Sequence, residues 1–405
     1  MLIAIAWRNV WRNTTRSGVV IAAIAVGLWA GIFSDAFMQG MAGQFIYSSI
    51  HTETGHIQLC HPGFLLNHDV QDTISRSDSI LAAIRRMPSV TGAAQSIQMF
   101  SLASKASFST GIMLNGIVPE EEKNVSDLYT DVVKGSYFGE DRPNQIVIGQ
   151  KLAEQLHANV HSKIVLTLQT VSGDIIYGAF RVCGIYHTYN TDYEGNMAFV
   201  NIGDVRRLAG FTPNTASIIK VLLNQSDIAQ DVSDTLQHQF PALKVQPWMT
   251  ISPLLTVMSG WIKQIALAFV LIILLALAFG IINTMLMAVI DRTRELGMLM
   301  AVGMKPGQVF RMVVMETVFL ALTGAVVGTA LSVATVLYFG HAGIDLSIIA
   351  EELNSYGYST MVYPSLGLDF YLQLAVLVFA IAVLSSILPA RRATRLNPVE
   401  ALQGD

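Results

Sequence analysis

The stretch Asp291-Arg-Thr-Arg-Glu-Leu-Gly-Met-Leu-Met-Ala-Val-Gly-Met304 sets three charged side chains, Arg292, Arg294 and Glu295, beside an apolar series. Leu296, Leu299, Met300 and Gly303 fall at i, i+3, i+4 and i+7, one face of a helix. Arg292 and Glu295, three apart, fall on another face. Such residues bind surfaces rather than transform molecules, and spacing leaves open whether the helix lies on a bilayer or docks on a protein. Elsewhere the sequence offers little covalent chemistry. His51, His56, His61, His68, His157, His161 and His187 are scattered, with no His-Glu-x-x-His run, and read as solvated surface groups. No Ser/His/Asp arrangement accompanies a Gly-x-Ser-x-Gly elbow. Cys60 and Cys183 make no metal-ligand cluster, and whether they pair as a disulfide is open. No Gly-x-x-x-x-Gly-Lys-[Ser/Thr] phosphate loop occurs, and there is no Gly-Lys pair at all. No catalytic residue, metal or bound cofactor is therefore expected in this chain.

The elements that carry these residues are set by a membrane. Charged residues are 13% of the 405 and hydrophobic ones 52%, too little charge for a soluble protein of this length. The net charge of −4 gives no reason to expect a nucleic-acid partner. Four apolar stretches are long enough to span a bilayer, which takes about 20 residues: Gly18 to Met38, Ile265 to Ile290, Val309 to Phe339 and Leu368 to Leu388. The first is too long for a signal-peptide core and lacks an Ala-x-Ala site, so it is expected to remain as an anchor. Arg8, Arg12 and Arg16 precede the first span; Arg292, Arg294, Lys305 and Arg311 lie between the second and third; Arg391, Arg392 and Arg395 follow the fourth. The loop after the third span has Asp345, Glu351, Glu352 and Asp369 and neither Lys nor Arg. The positive-inside rule puts the three basic flanks in the cytoplasm.

The expected architecture is an α-helical membrane protein with four transmembrane helices plus an α+β extracytoplasmic domain. Its segments are a cytoplasmic interfacial helix (1–17), span one with a stalk (18–50), the extracytoplasmic domain (51–250), and a stalk with span two (251–290). A cytoplasmic loop helix (291–307), span three (308–340), an outer loop (341–367), span four (368–390) and a cytoplasmic tail (391–405) complete it. In the interfacial helix, Ile3, Trp7, Val10 and Trp11 recur at helical spacing with Arg8 and Arg12 on another face; it anchors span one or moves as a collar. Phe33, Phe37 and Phe45 on the first stalk, and Met258, Trp261 and Ile265 on the second, form stripes expected to pack on each other. Continuous from Leu254 to Ile290, the second would reach about 55 Å at 1.5 Å per residue; the alternative is a break near Gly260. Ile146–Ile148, Ile164–Leu166, Phe180–Val182 and Ile218–Val221 read as strands, and Asp78–Met87 and Gly149–His157 as helices. Gly27 with Gly31, and Gly324 with Gly328, offer close-approach faces. Asn283 and Glu316 are polar groups at membrane depth: Glu316 either bonds a neighbouring helix or belongs to a moving element.

Three pieces resemble the FtsX/MacB/LolC-type ABC transporter permease superfamily (type VII, mechanotransmission-like): Trp7-Arg-Asn-Val-Trp-Arg-Asn13, Arg294-Glu-Leu-Gly297 with Ala301-Val-Gly303, and Leu388-Pro-Ala-Arg-Arg-Ala393 with Asn397-Pro-Val-Glu-Ala-Leu402. Tyr137-Phe138, Ile146–Gly149, Leu152-Ala153 and Val182–Ile185 resemble its periplasmic core. Met300 departs from the Lys or Arg of many relatives, and His161 stands near a turn glycine of theirs. The layout is most similar to stand-alone LolC/LolE-like permeases. The resemblance implies that Arg292, Arg294, Glu295, Leu296, Gly297, Leu299 and Gly303 form a coupling helix for a separate ABC ATPase, present in two copies and carrying the ATP and Mg. It implies a second permease chain, identical or related, an inner-membrane location with the large domain in the periplasm or outside, and work on a lipoprotein, peptide or amphiphile, with a periplasmic adaptor or lipoprotein as a further partner beside the membrane lipids. The alternatives are a MacB-like efflux permease, an FtsX-like transmitter that regulates a cell-wall hydrolase, and, most weakly, a membrane enzyme.

Overall fold

The computed structural model describes residues 2–394 apart from 13, 140–142, 189, 351–352 and 354–357. Arg395 and the Asn397–Leu402 motif lie outside the described residues. The chain divides into a membrane unit (1–42, 259–345 and 361–405) and an extracytoplasmic unit (43–258 and 346–360).

In the membrane unit, four helices are long and apolar enough to cross a membrane. An N-terminal helix, Leu2–Arg12, precedes span 1, Thr14–Ser49. Span 2, Pro253–Asp291, is one unbroken helix, so there is no break at Gly260. Its apolar stretch continues through that glycine, where an added Cβ would meet nothing within 4 Å. The loop helix, Thr293–Ala301, leads to span 3, Pro306–Ala342, and span 4 is Leu368–Thr394. Lys305 and Pro306 start span 3 for a local reason. Proline lacks the N–H that a first helical residue could not use, and the Gln308 side chain accepts the Lys305 N–H at 3.0 Å.

Spans 1 and 3 meet at two glycines. A Cβ on Gly324 would stand 2.7 Å from Ile24, and one on Gly328 2.7 Å from the Ala25 carbonyl oxygen. Only hydrogen fits there, and the backbones close to contact. Gly27 and Gly31 are looser: added Cβ atoms would meet Ile273 and Leu277 at 3.4–3.9 Å, ordinary packing. Ile24, Leu28, Val309, Met312, Val313, Leu374 and Val378 belong to one buried cluster, which the N-terminal helix joins through Val10.

The extracytoplasmic unit carries strands β1 (Ile57–Cys60), β2 (Ile74–Ser75), β3 (Val90–Lys105), β4 (Phe108–Ile117), β5 (Val132–Gly135) and β6 (Gln145–Gly149). It continues with β7 (Lys163–Gln169), β8 (Ile175–Tyr186), β9 (Met197–Asn201), β10 (Thr215–Ala216), β11 (Ile218–Leu223) and β12 (Lys244–Pro247). The main sheet runs β12-β1-β11-β3-β4-β9-β6-β8-β5, and β7 pairs with both β8 and β3. Strands β3, β4, β9, β6, β8 and β7 thus pair in a closed ring, which leaves no free edge among them. Along β3, Ile97, Met99 and Ala103 are buried while Phe100 and Leu102 are exposed, the alternation of a wall with one dry face. The dry face meets Ile148, Leu166, Phe180 and Val200. A second core lies where β1 and β11 pack with the helices Ser77–Ile84 and Ala229–Gln239.

The four strands expected from sequence fall in β6, β7, β8 and β11, and the two helices in Ser77–Ile84 and Gln150–Gln155. His161 has φ 71°, the left-handed region that glycine enters most easily, so the chain makes at this histidine the kind of turn a glycine would favour. Cys60 and Cys183 are free thiols; Cys60 is buried against Phe64 and Ile218. The reading of the histidines as surface groups fails at His56. It is 3% exposed, with Nε2 2.8 Å from the Ser226 hydroxyl and Nδ1 accepting the Leu223 N–H. Burial pushes that imidazole down to about 4, so it stays neutral.

Candidate functional site

The loop helix is nine residues long, shorter than an isolated helix can hold in water. Both of its ends are jointed. Arg292, at its N-cap, is non-helical with φ −105°, and Gly303 beyond its end has φ 108°. Its direction is therefore set by what it packs on. Leu296 and Gly297 are buried, and Met300 packs on the membrane-unit core.

Charge ties it further. Arg12 Nη2 donates to Glu295 Oε1 at 2.6 Å, across 283 positions of sequence. Arg292 Nε donates to Glu295 Oε2 at 3.2 Å, and Arg292 Nη1 donates to Glu316 Oε1 at 2.8 Å. The result is an alternating ladder, Arg12–Glu295–Arg292–Glu316, that joins the N-terminal helix, the loop helix and span 3. The Arg12 hydrogen bond first, then Arg292, hold the Glu295 carboxyl below the usual carboxylate range. The outer pair is half exposed, but Arg292 and Glu316 are 18% and 11% exposed.

Spacing groups the residues into faces, and the structure shows which of them are covered. Glu295 faces Arg12 and Arg292 of this chain. The apolar series is split: Leu296 points inward, while Leu299 is 38%, Met298 56% and Val302 85% exposed. Arg294 is exposed beside them. Arg294, Met298 and Val302, four apart, make one outward row ending at Gly303. The helical period shows which residues share a face but not which face is covered, so it does not single out Met298 and Val302. No local spacing marks Arg12 as the partner of Glu295.

Among the described residues, no ring contact joins the stalk residues of span 1 to those of span 2. Phe33 stacks on Trp29 at 6.0 Å and meets the edge of Phe339 at 5.9 Å. Phe45 stacks on Tyr358 at 4.6 Å, and Phe37 is half-buried. Trp261 and Ile265 are 63% and 48% exposed, and the Met258 side chain lies outside the described residues. Phe33 and Phe45 thus find their aromatic neighbours outside the second stalk. Asn283 is exposed on span 2, and Glu316 is held by Arg292. Among the described residues, no group of three His, Cys, Asp or Glu is placed to hold a metal ion.

Four membrane-capable helices, with a large α/β unit inserted between the first two, define an integral membrane protein built as one span plus three. The MacB-like periplasmic core domain family matches residues 17–239, and the FtsX-like permease C-terminal family matches residues 267–398. The chain belongs to the ABC transporter permeases of the FtsX/MacB/LolC family. It is 24% identical over 406 aligned residues to the lipoprotein-releasing system transmembrane protein LolC of Neisseria meningitidis serogroup B, covering 95% of this chain and 93% of that protein. It is 28% identical to the macrolide export ATP-binding/permease protein MacB of Neisseria gonorrhoeae, over 55% of this chain and 30% of that one. Among solved structures it is similar to the extracellular domain of the transporter YknZ from Gram-positive bacteria. There the identity is 18% and the TM-score 0.33, with 47% of this chain and 98% of that one covered.

Proposed function

We propose that the chain couples ATP hydrolysis by a separate ABC ATPase, bound in two copies to a pair of permease chains, to work on a lipoprotein or similar amphiphile outside the cytoplasm. The carrying observation is the outward row of the loop helix. Val302, Met298 and Leu299 are apolar side chains exposed beside Arg294, on a helix whose other faces are buried or ion-paired. A surface of that kind next to a cation fits a cleft on a protein, where burial of each side chain is worth about 1.5–3 kcal/mol. The basic flanks support a cytoplasmic position for it. The lipoprotein substrate is supported by the LolC relative, whose match spans nearly the whole of both chains. ATP and Mg belong, on this reading, to the partner, and the nucleotide is bound there.

The test is Val302→Asp and Met298→Asp in the full chain, with Ile348→Asp in the outer loop, 98% exposed, as the matched control. Each loop-helix variant should weaken binding of the ATPase at least about tenfold, which is 1.4 kcal/mol. ATP-dependent release of a lipoprotein from proteoliposomes should fall with it, while Ile348→Asp leaves both intact. Full ATPase binding by both loop-helix variants would refute the docking row. Release independent of ATP or of the permease would refute the substrate.

A further inference from the structure

We infer that Arg12 is a positioning residue for the loop helix, and that the N-terminal helix is a strut which aims the docking row rather than a passive anchor of span 1. The loop helix is jointed at Arg292 and at Gly303, so its covalent connections to spans 2 and 3 do not fix its direction. Leu296 and Met300 hold its inner face by apolar contact, which is non-directional. The ladder supplies direction. Glu295 takes hydrogen bonds from Arg12 on one side and Arg292 on the other, and Arg292 hands on to Glu316 of span 3. Charges alternate along it, so each group has neighbours of opposite sign.

The N-terminal helix is itself held well enough to act as a strut. Ala6 and Val10 are fully buried, and the Trp7 ring meets the edge of Phe319, on span 3, at 5.3 Å. The Ser17 hydroxyl at the start of span 1 donates to the Val10 carbonyl at 2.5 Å, closing the joint between the two helices. Arg12 is the last residue of this helix, so its side chain reaches the loop helix from a fixed base. A push on Met298 and Val302 would therefore be delivered to the N-terminal helix and to span 3 together. An isolated exposed pair would do little, but this pair continues into the Arg292–Glu316 pair, which is largely covered.

The positional part of the inference stands without the docking reading; its consequence for ATP coupling rests on that reading. The experiment measures amide exchange across residues 293–301 in the full chain in nanodiscs for Arg12→Gln, Glu295→Gln and the double variant. Exchange in 293–301 should quicken roughly fivefold in each single variant, as loss of one member of a partly exposed network predicts. The double variant should be no worse than the worse single one, because both remove the same contact. Exchange in β3 and β4 should not change, which excludes general unfolding. With the ATPase added, Arg12→Gln should lower stimulated turnover several-fold while its binding stays within about threefold of wild type. Unchanged exchange in 293–301, or additive effects in the double variant, would overturn the positioning role. If exchange responds as expected and wild type binds no ATPase, the docking reading fails and the strut stands.

Discussion

Lys220 on β11 and Glu122, at the end of the short helix Pro119–Glu122, form an ion pair with Nζ and Oε1 3.4 Å apart. Their side chains are 6% and 1% exposed. The second oxygen of Glu122 has no hydrogen-bond partner among the described residues, so the carboxylate depends on the ammonium. Lys220 also serves Glu53, whose carboxyl is pushed up by burial and drawn back first by the Asn190 hydrogen bond and then by the Lys220 charge. Lys220→Met therefore strands acids in a dry site, and breaking one partner of a buried pair costs about 3–5 kcal/mol. For a unit of this size each kcal/mol moves the melting midpoint by about 2–4 °C, so a fall of about 6–20 °C is expected. Replacing both partners, Lys220→Met with Glu122→Leu, should recover most of it. Cys60 reports the transition directly. It sits on β1 opposite Ile218 of β11, and burial pushes its thiol up to about 11, so it reacts only when the sheet opens. In a Cys183→Ser background, the temperature at which Cys60 becomes labelled measures the midpoint. A midpoint for Lys220→Met within about 2 °C of wild type, or a double variant as weak as the single, would refute the reasoning.

Gly328→Val should sharply lower the yield of folded, monodisperse protein in detergent, because its Cβ would meet the Ala25 backbone at 2.7 Å, whereas Gly280→Ala, with nothing within 4 Å, should behave as wild type. Burial first, and then Asp127, push the Asp131 carboxyl up to about 6, so between about pH 4 and 6 the folded chain keeps a proton that the unfolded chain releases. That contribution favours folding at low pH and is lost as pH rises to 6. His56, pushed down to about 4, acts oppositely and loses stability as pH falls below about 6.5. Asp131→Asn should therefore lose calorimetric stability more steeply than wild type on acidification from pH 6 to 4; an unchanged slope would remove Asp131 from the account.

The legible parts of this chain are those where one local rule applies. Bilayer thickness fixes a minimum apolar length, so the four spans could be read directly. The β-rich runs at Ile146–Ile148 and Ile218–Val221 lie between turn signals and became β6 and β11. What could not be read is long-range. The pairing of β7 with β3, which closes the ring, joins Ser101 to Leu168, and nothing local announces it. The Arg12–Glu295 bond is of the same kind. The loop helix shows a further limit. In water an apolar face is a buried face, but this helix carries apolar residues on more than one face. Leu296 and Met300 went inward and Met298 and Val302 outward with no difference in hydrophobicity to separate them.

The elements attached to the loop helix differ in how firmly they are held. Span 3 is locked to span 1 through Gly324 and Gly328, and the Trp29 indole donates to Thr335 at 3.1 Å along the same seam. The N-terminal helix packs on span 3 through Trp7 and Phe319. Span 2 instead exposes Trp261, Ile265, Phe269, Ile272 and Phe279. The ladder runs to Arg12 and Glu316, on the locked side, and crosses the joint at Arg292 on the way. The loop helix is thus tied to the N-terminal helix and to span 3, which packs closely on span 1. Span 1 is one helix from Thr14 to Ser49, and a π-helical turn, Ile50–Thr54, follows it. Two segments of the extracytoplasmic unit hold that turn: Asp127 donates its N–H to the His51 carbonyl, while, in the helix Thr191–Asn196 with its N-cap Asn190, Tyr193 donates its hydroxyl to the Thr52 carbonyl and Asn190 its amide to Glu53. π-helical turns are rare and mostly single, and this one is hydrogen-bonded on the successive residues His51, Thr52 and Glu53. Directional contacts thus flank span 1: the Arg12–Glu295 bond just before it, and hydrogen bonds on the turn that follows it.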